Sequence, residues 1–485
     1  MKRSVFILSF VIFSIVMYAQ DFDRRSLAEP QIMGSARYVA LSGAMSAMGG
    51  DVSAAQDNPA ALGVFRHGEL SGTAEFRYDA VYADQSKADA FRFTVPQVAW
   101  VMHWGNPSKL SGLIDNSFML QYHRRAHYTR NGYYTGTFTS SVADLMADLS
   151  NGLNETYLQG TKWLDYSDIG IHSKLGYEFY LINPIEGTNN WSSIHPSGGK
   201  TYQYLNVNES GSNDEFSFAW GGNIGNRLYL GAGLNIESIV YSKESKYKEY
   251  ITSTDDVSMT NVMSVSAVGV NLSAGLIYRP LNWLRLSASI RTPSWYNATF
   301  TSYCKADSRD YKADQTYTFE GVYDKYNTSN YTLPLMTTVG IAFQIGTKGM
   351  ISAEYDYRYQ PKRLLDDIHV MKIGTEWAIK NNYFVRFGYA FQSDFGKGDY
   401  IYVPAEGELR GDLDFQNIKN TQYFSTGFGY RMKSLLVELA YQCTWQKINQ
   451  YSFSRELQSG DYEHCMFPVN DVGHRVVISL GWMMR

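Results

Sequence analysis

Residues 283 to 291 read Trp-Leu-Arg-Leu-Ser-Ala-Ser-Ile-Arg, an almost strict alternation of apolar and polar side chains. Successive side chains of a β-strand point to opposite faces, so Leu284, Leu286 and Ile290 share one face while Arg285 and Arg291 share the other. The same period of two recurs at 435–443 and 472–482. Strands with one apolar face and one face of polar or small side chains, repeated along the chain, are typical of a membrane β-barrel.

Composition favours the same class of protein. Of the 485 residues, 44% are hydrophobic, 19% are charged and 15% are aromatic, including 38 tyrosines. No internal run is apolar enough for a membrane-spanning helix, whereas lipid-facing strands need aromatic girdles at both interfaces. The net charge of −4 gives no electrostatic case for a nucleic-acid partner. We therefore expect an outer-membrane location, with outer-membrane lipid and lipopolysaccharide as surroundings.

Alternation predicts fourteen antiparallel strands, an even number that suits a single-chain bacterial barrel. The predicted strands lie near 68–80, 90–104, 115–128, 215–225, 227–241, 262–279, 283–303, 331–345, 349–360, 368–380, 383–395, 421–432, 434–446 and 472–484.

The connections between these strands alternate between tight turns and long polar stretches. The tight turns are rich in turn-forming residues and lie near 225–227, 279–282, 346–349, 380–382 and 431–434. The long connections lie near 129–214, 242–261, 304–330, 396–420 and 447–471. Such barrels carry their longer loops outside the cell, so the tight turns and both termini are expected to be periplasmic. In the longest connection, 129–214, the spacing at 141–149 predicts a short helix over the external mouth.

The N-terminal part of the chain divides into two segments that are not barrel strands. Lys2 and Arg3 precede an apolar run of about 12 residues, which predicts a cleavable signal peptide over 1–19. Residues 20–67 are small and nearly uncharged around 34–67, and do not alternate. A fourteen-stranded ring is too wide for its own side chains to fill. We assign 20–67 to a hatch that plugs the lumen, and 68–485 to the barrel.

The hatch segment carries the residues that resemble a known family. Gly34 to Arg37, Gly43-Ala44, Asp51 with Ser53, and above all Asn58-Pro59-Ala60 with Leu62-Gly63 resemble the N-terminal hatch of the FadL/TodX-type outer-membrane transporters of hydrophobic compounds. This resemblance implies an all-β, fourteen-stranded antiparallel transmembrane barrel with a small hatch. It also implies passive uptake of long-chain fatty acids or aromatic hydrocarbons, gated by the hatch and released laterally through a kinked strand. Asn58, Pro59 and Ala60 are then hatch or gating residues.

The second predicted strand carries a phase slip that offers a counterpart to such a kink. Phe91, Phe93 and Val95 set one apolar phase, and after Pro96 the phase changes to that of Val98 and Trp100. A one-residue slip requires a bulge or break, and Pro96 cannot donate a ladder hydrogen bond. Pro96 is therefore a candidate gating residue, although an ordinary bulge above the membrane explains the slip equally well.

The third predicted strand carries a candidate ligand-binding face. Gln121, His123, Arg125 and His127 share one face and are expected to point into the lumen. A cationic cluster there could hold the carboxylate of a fatty acid or a porphyrin propionate through charge-assisted hydrogen bonds. Two alternatives stay open: an ordinary polar lumen wall, and binding of a metal or haem iron by the two histidines.

The sequence also lacks the motifs of several other classes of protein. The sequence contains no local signature of a catalytic triad, a phosphate loop or a zinc site, so we predict no enzyme, no cofactor and no bound metal. Cys304 and Cys465 fall in predicted external loops and could pair. Two alternative functions remain for a barrel of this type: a scaffold or shuttle subunit of a protein secretion system, with a protein partner on the external loops, and a haemin-binding receptor.

Overall fold

A computed structural model of the chain describes residues 27, 29–84, 86–105, 111–160, 170–359, 366–380, 382–394, 411–457 and 459–484. The predicted signal peptide lies outside these residues. Within them the chain is mostly strand. The strands are β1 (Gly68–Ala83), β2 (Ser86–Gly105), β3 (Leu113–His127), β4 (Arg130–Phe138), β5 (Ile182–Pro184), β6 (Trp191–Ser193), β7 (Thr201–Ile224), β8 (Leu228–Tyr250), β9 (Asp255–Leu281), β10 (Leu284–Arg291), β11 (Ser294–Asp310), β12 (Gln315–Leu333), β13 (Leu335–Ile345), β14 (Gly349–Tyr359), β15 (Ile368–Lys380), β16 (Tyr383–Gln392), β17 (Phe415–Met432), β18 (Leu435–Glu456) and β19 (Tyr462–Met484).

The helices of the described part are short. They are α1 (Ala36–Ala40), α2 (Ala54–Asp57), a 3-10 helix (Pro59–Val64), α3 (Val142–Ser150), α4 (Glu155–Gly160) and α5 (Ile171–Glu178). In the described part of the chain, no helix combines the length and the apolar character that crossing a membrane would require.

All strands except β5 and β6 belong to one antiparallel sheet, which closes where β1 pairs with β19 from Gly68↔Met484 to Tyr82↔Asn470. Three pairs of consecutive strands (β3 with β4, β10 with β11, β12 with β13) each occupy one position of the ring. Two of these interruptions fall at Pro293 and Pro334, since proline has no N–H for the ladder. The result is a closed fourteen-stranded barrel, which confirms the predicted fold class.

The outer surface of the barrel carries the predicted apolar phase. Many large apolar side chains of the strands are exposed outward, and they include Leu70, Phe118, Phe218, Val268, Leu272, Ile290, Ile373, Phe424 and Leu480. The inward phase is polar or small, with Thr73, Glu237, Ser287 and Arg386 buried. An apolar outside and a polar inside is the arrangement of a barrel in a lipid bilayer.

The two ends of the barrel differ. At one end, here called the turn end, the strands are joined by short turns such as 225–227 and 346–348. At the other, the extended end, β7 to β9 and β17 to β19 are 18 to 27 residues long, more than a bilayer crossing requires.

The prediction of long polar loops near 242–261, 304–330 and 447–471 was wrong. The strands continue through most of these stretches, so that β8 runs to Tyr250 and β9 begins at Asp255. The physical reason is that strands beyond the lipid have polar outward faces, as in Ser242, Glu244 and Lys246. The alternation of apolar and polar residues disappears there, although the strand does not.

The connection between the third and fourth ring positions closes the extended end. The stretch 129–214 contains β4 and the first half of β7, which leaves 139–200 as the insertion between them. The helix predicted at 141–149 is present as α3, and Ser141 and Asp144 form its capping box. Apolar side chains of α3 and α5 pack with inward residues of the surrounding strands, and Val142, Met146, Leu175, Phe453 and Phe467 are all buried in this cap.

Candidate functional site

The hatch residues that the structure describes lie inside the barrel near the turn end. The hatch approaches the wall closely at inward-facing glycines, where any side chain on the wall would collide with it. A Cβ atom added to Gly231 would lie 2.3 Å from the backbone nitrogen of Ala60, and one added to Gly388 would lie 2.4 Å from the carbonyl carbon of Leu41. The same close approach occurs at Gly221, Gly275, Gly374 and Gly427. Glycines of several strands thus form the seat of the hatch.

Asn58 holds the short helices of the hatch together and ties them to the wall. Its Oδ1 accepts from the backbone N–H of Ala60 at 3.0 Å and so caps the 3-10 helix, in which Pro59 occupies the first turn. Its Nδ2 donates to the carbonyl oxygens of Ser46 at 3.1 Å and Leu276 at 3.2 Å. Asn58 is fully buried, so each of these polar groups needs its partner.

Buried and partly buried ion pairs connect the hatch to the wall. Arg37 binds Glu376 through two hydrogen bonds of 2.8 and 2.9 Å, and Glu376 also accepts from Arg386 at 2.6 Å. Lys372 binds Glu354 and Asp356 at 2.7 Å and Asp57 of the hatch at 3.4 Å. These charges are therefore structural partners, as expected for inward residues whose signs balance.

Of the four predicted ligand residues of β3, Gln121 and His123 are buried and Arg125 turns inward to Glu215, whereas a register shift between Arg124 and Ala126 changes the phase before His127. The charge of the inward residues is largely neutralised. Arg125 binds Glu215 at 3.1 Å and approaches Glu237 at 3.8 Å. His123 lies 3.7 Å from Glu215 and is buried.

The other two predicted ligand residues, His127 and Gln121, have no acidic partner in the described part of the chain. The backbone of His127 pairs with the side chain of Gln31, and its Nδ1 lies 3.0 Å from the carbonyl oxygen of Gly211. The side chain of Gln121 is buried and has no hydrogen-bond partner among the described residues. Only His123 and Arg125 of the four line the cavity described next.

A cavity beside the hatch is lined by a positively charged side chain, Arg358, that the sequence analysis did not assign to ligand binding. The cavity has a volume of about 60 Å³. Its lining includes His123, Arg125, Arg291, Arg358 and Gln56. Arg291 is bound to Glu215, while Arg358 forms no ion pair within the described residues and its Nε has no partner there. Gln56 of the hatch likewise has an unpartnered Nε2.

An apolar, aromatic zone of the lumen lies beside this cavity. Inward side chains of β8, β9, β11 and β12 form a buried cluster around Leu27, the first described residue. The cluster contains Tyr128, Tyr241, Met263, Val265, Tyr296, Phe300 and Tyr331. This zone and the cavity together offer an apolar surface next to hydrogen-bond donors, which is the usual composition of a small-molecule site.

The pairing of β2 with β1 shifts its register at Pro96. Val95 and Pro96 lie opposite Ala74 alone, since Thr73 pairs with Gln97 and Glu75 pairs with Thr94. Outward exposure changes phase at the same point, from Phe91 (69%) and Phe93 (57%) to Val98 (46%) and Trp100 (43%). The predicted slip is therefore a β-bulge.

The ladder between β2 and its other neighbour ends at this bulge. β2 pairs with β3 from Gly105↔Asp115 only as far as Gln97↔His123. Beyond that point β3 and β4 pair with β7, and within the described residues 86–96 form a ladder with β1 alone. We call this unladdered boundary between 86–96 and 124–138 the seam. On its inner side lies a second cavity, lined by Arg77, Asp79, His127, Thr129 and Arg130 among others.

The cysteines and potential metal ligands form no further site in the described part. Cys304, Cys443 and Cys465 are free thiols, so the pairing considered for Cys304 and Cys465 is absent. No group of three or more His, Cys, Asp or Glu side chains in the described residues is arranged to hold a metal ion.

The closed ring, its apolar outer face, the buried hatch and the seam together define a plugged transmembrane β-barrel. The solved structures that share this fold include the following three. A FadL homologue from Pseudomonas aeruginosa is 10% identical, with a TM-score of 0.57, over 94% of this chain and 100% of that chain. The toluene transporter TbuX from Ralstonia pickettii is 12% identical, with a TM-score of 0.53, over 94% and 99%. The toluene transporter TodX from Pseudomonas putida is 13% identical, with a TM-score of 0.51, over the same shares.

These comparisons confirm the predicted resemblance to FadL/TodX-type channels at the level of the fold. No protein-family model matches the chain, and no curated protein matches it in sequence.

Proposed function

We propose that this protein is an outer-membrane channel for the passive uptake of hydrophobic compounds, either long-chain fatty acids or aromatic hydrocarbons. In this proposal the turn end faces the periplasm, and ligand enters the lumen from the extended end. The fold it shares with channels described as toluene transporters supports this class of cargo. The apolar lumen zone around Tyr241, Tyr296 and Phe300 provides a surface for such a ligand.

The seam is the observation that carries the proposal. Inside a bilayer no water satisfies the backbone, so a barrel wall is normally laddered without a break. Here the ladder from β2 to β3 stops at Gln97, and beyond it, toward the extended end, Phe91 and Phe93 still present apolar side chains outward. A cavity lies directly behind the seam. This arrangement suits lateral release of an apolar ligand into the membrane, with Pro96 preventing the ladder from extending.

The hatch residues Asn58, Pro59 and Ala60 would act as the gate toward the periplasm. Their glycine seat and the contacts of Asn58 keep the lumen closed at the turn end, so water-soluble molecules do not pass while ligand leaves sideways. Along the route, Gln121, His123, Arg125 and His127 form the polar wall. Arg358, which has no ion-pair partner among the described residues, would meet the acidic head of a fatty acid.

Uptake into proteoliposomes tests this function. A thiol-specific cross-linker that contains a disulfide, placed between Ser86→Cys and Tyr133→Cys, would join the two sides of the seam, since the Ser86 hydroxyl contacts the carbonyl oxygen of Tyr133. Cross-linking should abolish the uptake of radiolabelled oleate or toluene, and reduction should restore it. The control is the same cross-link between Lys246→Cys and Thr260→Cys, which lie opposite each other in the intact β8–β9 ladder. Uptake that survives cross-linking of the seam contradicts lateral release.

Native mass spectrometry of the gently solubilised protein separates this proposal from the secretion-scaffold alternative. A channel for hydrophobic compounds should retain apolar small molecules. Retention of a stoichiometric protein subunit without such a ligand would contradict the proposal and favour the scaffold.

A further inference from the structure

We propose that Arg92 is the latch of the seam: it holds the β1–β2 hairpin against the junction of β3 and β4, and its release opens the wall. The inference rests on the proposed function in one respect only, the use of the seam as the exit for ligand. Arg92 lies on β2 four residues beyond the bulge at Pro96, on the inner face, where β2 has a ladder with β1 only within the described residues.

Arg92 binds both sides of the seam. Its Nη1 donates to the carbonyl oxygen of Thr129 at 2.9 Å, in the short break between β3 and β4. Its Nη2 binds Asp79 of β1, which also accepts from Arg77 at 2.8 Å. In the described part of the chain, the other hydrogen bond across the seam is the one from the Ser86 hydroxyl to Tyr133, at the outermost part of β2.

Of the two contacts of Arg92, only one crosses the seam, as a latch requires. The ion pair to Asp79 stays within the β1–β2 hairpin, so it is retained when the seam opens. The bond to Thr129 is the contact that must break. For Arg92 itself, opening therefore costs one hydrogen bond to a neutral carbonyl and leaves its ion pair with Asp79 intact, whereas breaking a buried ion pair would be far more costly.

The cavity behind the seam would be opened by this release. Asp79 and Thr129, the two partners of Arg92, both line it, together with Arg77, His127 and Arg130. Separation of Arg92 from Thr129 would thus connect the cavity with the outside of the barrel between β2 and the β3–β4 junction. The residue controls the seam by position and does not need to touch the ligand.

The latch can be tested in the full-length protein without measuring transport. Nitroxide labels at Asp89→Cys on β2 and Thr137→Cys on β4, both exposed, report the width of the seam by pulsed electron spin resonance. In Arg92→Leu the population with a wide seam should rise about tenfold. Arg92→Lys should give an intermediate increase, because one ammonium group does not replace the fork of a guanidinium. This second variant keeps the positive charge beside Asp79 if Arg92→Leu fails to fold.

The matched control is Arg124→Leu on β3. Arg124 also binds an aspartate at 2.8 Å, but this aspartate, Asp214, lies on β7, so the ion pair does not cross the seam. An unchanged distance distribution in both Arg92 variants, or an equal change in Arg124→Leu, overturns the latch. If the seam widens in the Arg92 variants but oleate uptake stays at its original rate, the latch stands and lateral release fails. If the seam widens and uptake rises several-fold, both are supported.

Discussion

Arg37 of the hatch and Glu376 of β15 are joined by two parallel hydrogen bonds, Nε to Oε2 at 2.8 Å and Nη2 to Oε1 at 2.9 Å. This bidentate pair is the strongest kind of link between a guanidinium and a carboxylate. It connects a segment of little regular structure to a rigid wall. Arg37 also donates to the carbonyl oxygen of Gly50, so one side chain joins two parts of the hatch and ties them to the wall.

Replacing Arg37 by methionine should loosen the hatch and leave the barrel intact. Glu376 keeps its bond to Arg386, so we expect a loss of about 2 kcal/mol in hatch docking and not the cost of an isolated buried charge. Single-channel recordings in planar bilayers should show frequent ion-conducting openings in the variant and few or none in the original protein. A variant as silent as the original protein would show that this pair does not hold the hatch.

A methyl group at Gly231 should prevent the hatch from seating. The added Cβ would lie 2.3 Å from the backbone of Ala60 and Pro59, and backbone cannot move aside as a flexible side chain can. We expect Gly231→Ala to give an assembled barrel whose hatch is cut rapidly by added protease. Gly72→Ala on β1 is the control, because a Cβ there meets no atom within 4 Å. Equal protection of the hatch in the two variants would contradict the seat.

The alternating pattern predicted the strand ring well because lipid requires it. Wherever a strand crosses the apolar layer of the membrane, its outward side chains must be apolar, as at Leu284, Leu286 and Ile290. The residues of the inward face then follow from the period of two. Beyond the lipid this requirement ends. Outward polar residues such as Glu244 and Lys246 gave a continuous strand the sequence pattern of a loop. The extension of the strands beyond the membrane was therefore not predicted.

The site was predicted less well because charges are neutralised by partners distant in sequence. Alternation placed Arg125 on the inner face correctly, but Glu215, which neutralises it, comes 90 residues later on a neighbouring strand. Arg358 had the same sequence signal as its paired neighbours, and only the three-dimensional arrangement reveals that it has no ion-pair partner in the described residues. The slip at Pro96, by contrast, was visible because a bulge shifts the local phase.

Substituting Pro96 by valine should lower uptake without unfolding the barrel. Valine restores a backbone N–H, so the ladder between β2 and β3 can extend beyond Gln97 and narrow the seam. We expect several-fold slower uptake of oleate into proteoliposomes, with an unchanged melting temperature. Pro293→Val, at the break between β10 and β11, provides a comparison at a proline away from the seam. Unchanged uptake in Pro96→Val would mean that the bulge does not limit release.

Replacing Arg358 by glutamine should distinguish acidic from neutral cargo. If Arg358 binds a carboxylate, the variant should bind oleate about tenfold more weakly, because a charge-assisted hydrogen bond is lost, and should bind toluene as before. Titration calorimetry in detergent measures both affinities. Arg124→Gln removes an equal charge on the outer face and serves as the control. An equal loss for toluene and oleate would indicate that Arg358 supports the lumen wall only.

The cap at the extended end should loosen in acid because of His172 on α5. Burial lowers the pKa of His172 to about 4, although its Nε2 donates to the carbonyl oxygen of Gly411 and Asp412 lies nearby. The neutral form is therefore favoured in the closed cap, and the opened cap takes up a proton first, near the ordinary pKa of about 6.5. The cap keeps its full stability above that pH and loses it as the pH falls toward 4, by roughly 3 kcal/mol in total. Amide hydrogen exchange of 171–178, corrected for the intrinsic rate at each pH, should show falling protection between pH 6.5 and 4. His172→Asn removes the titrating group, and a fall of the same size in that variant would assign the effect to another residue.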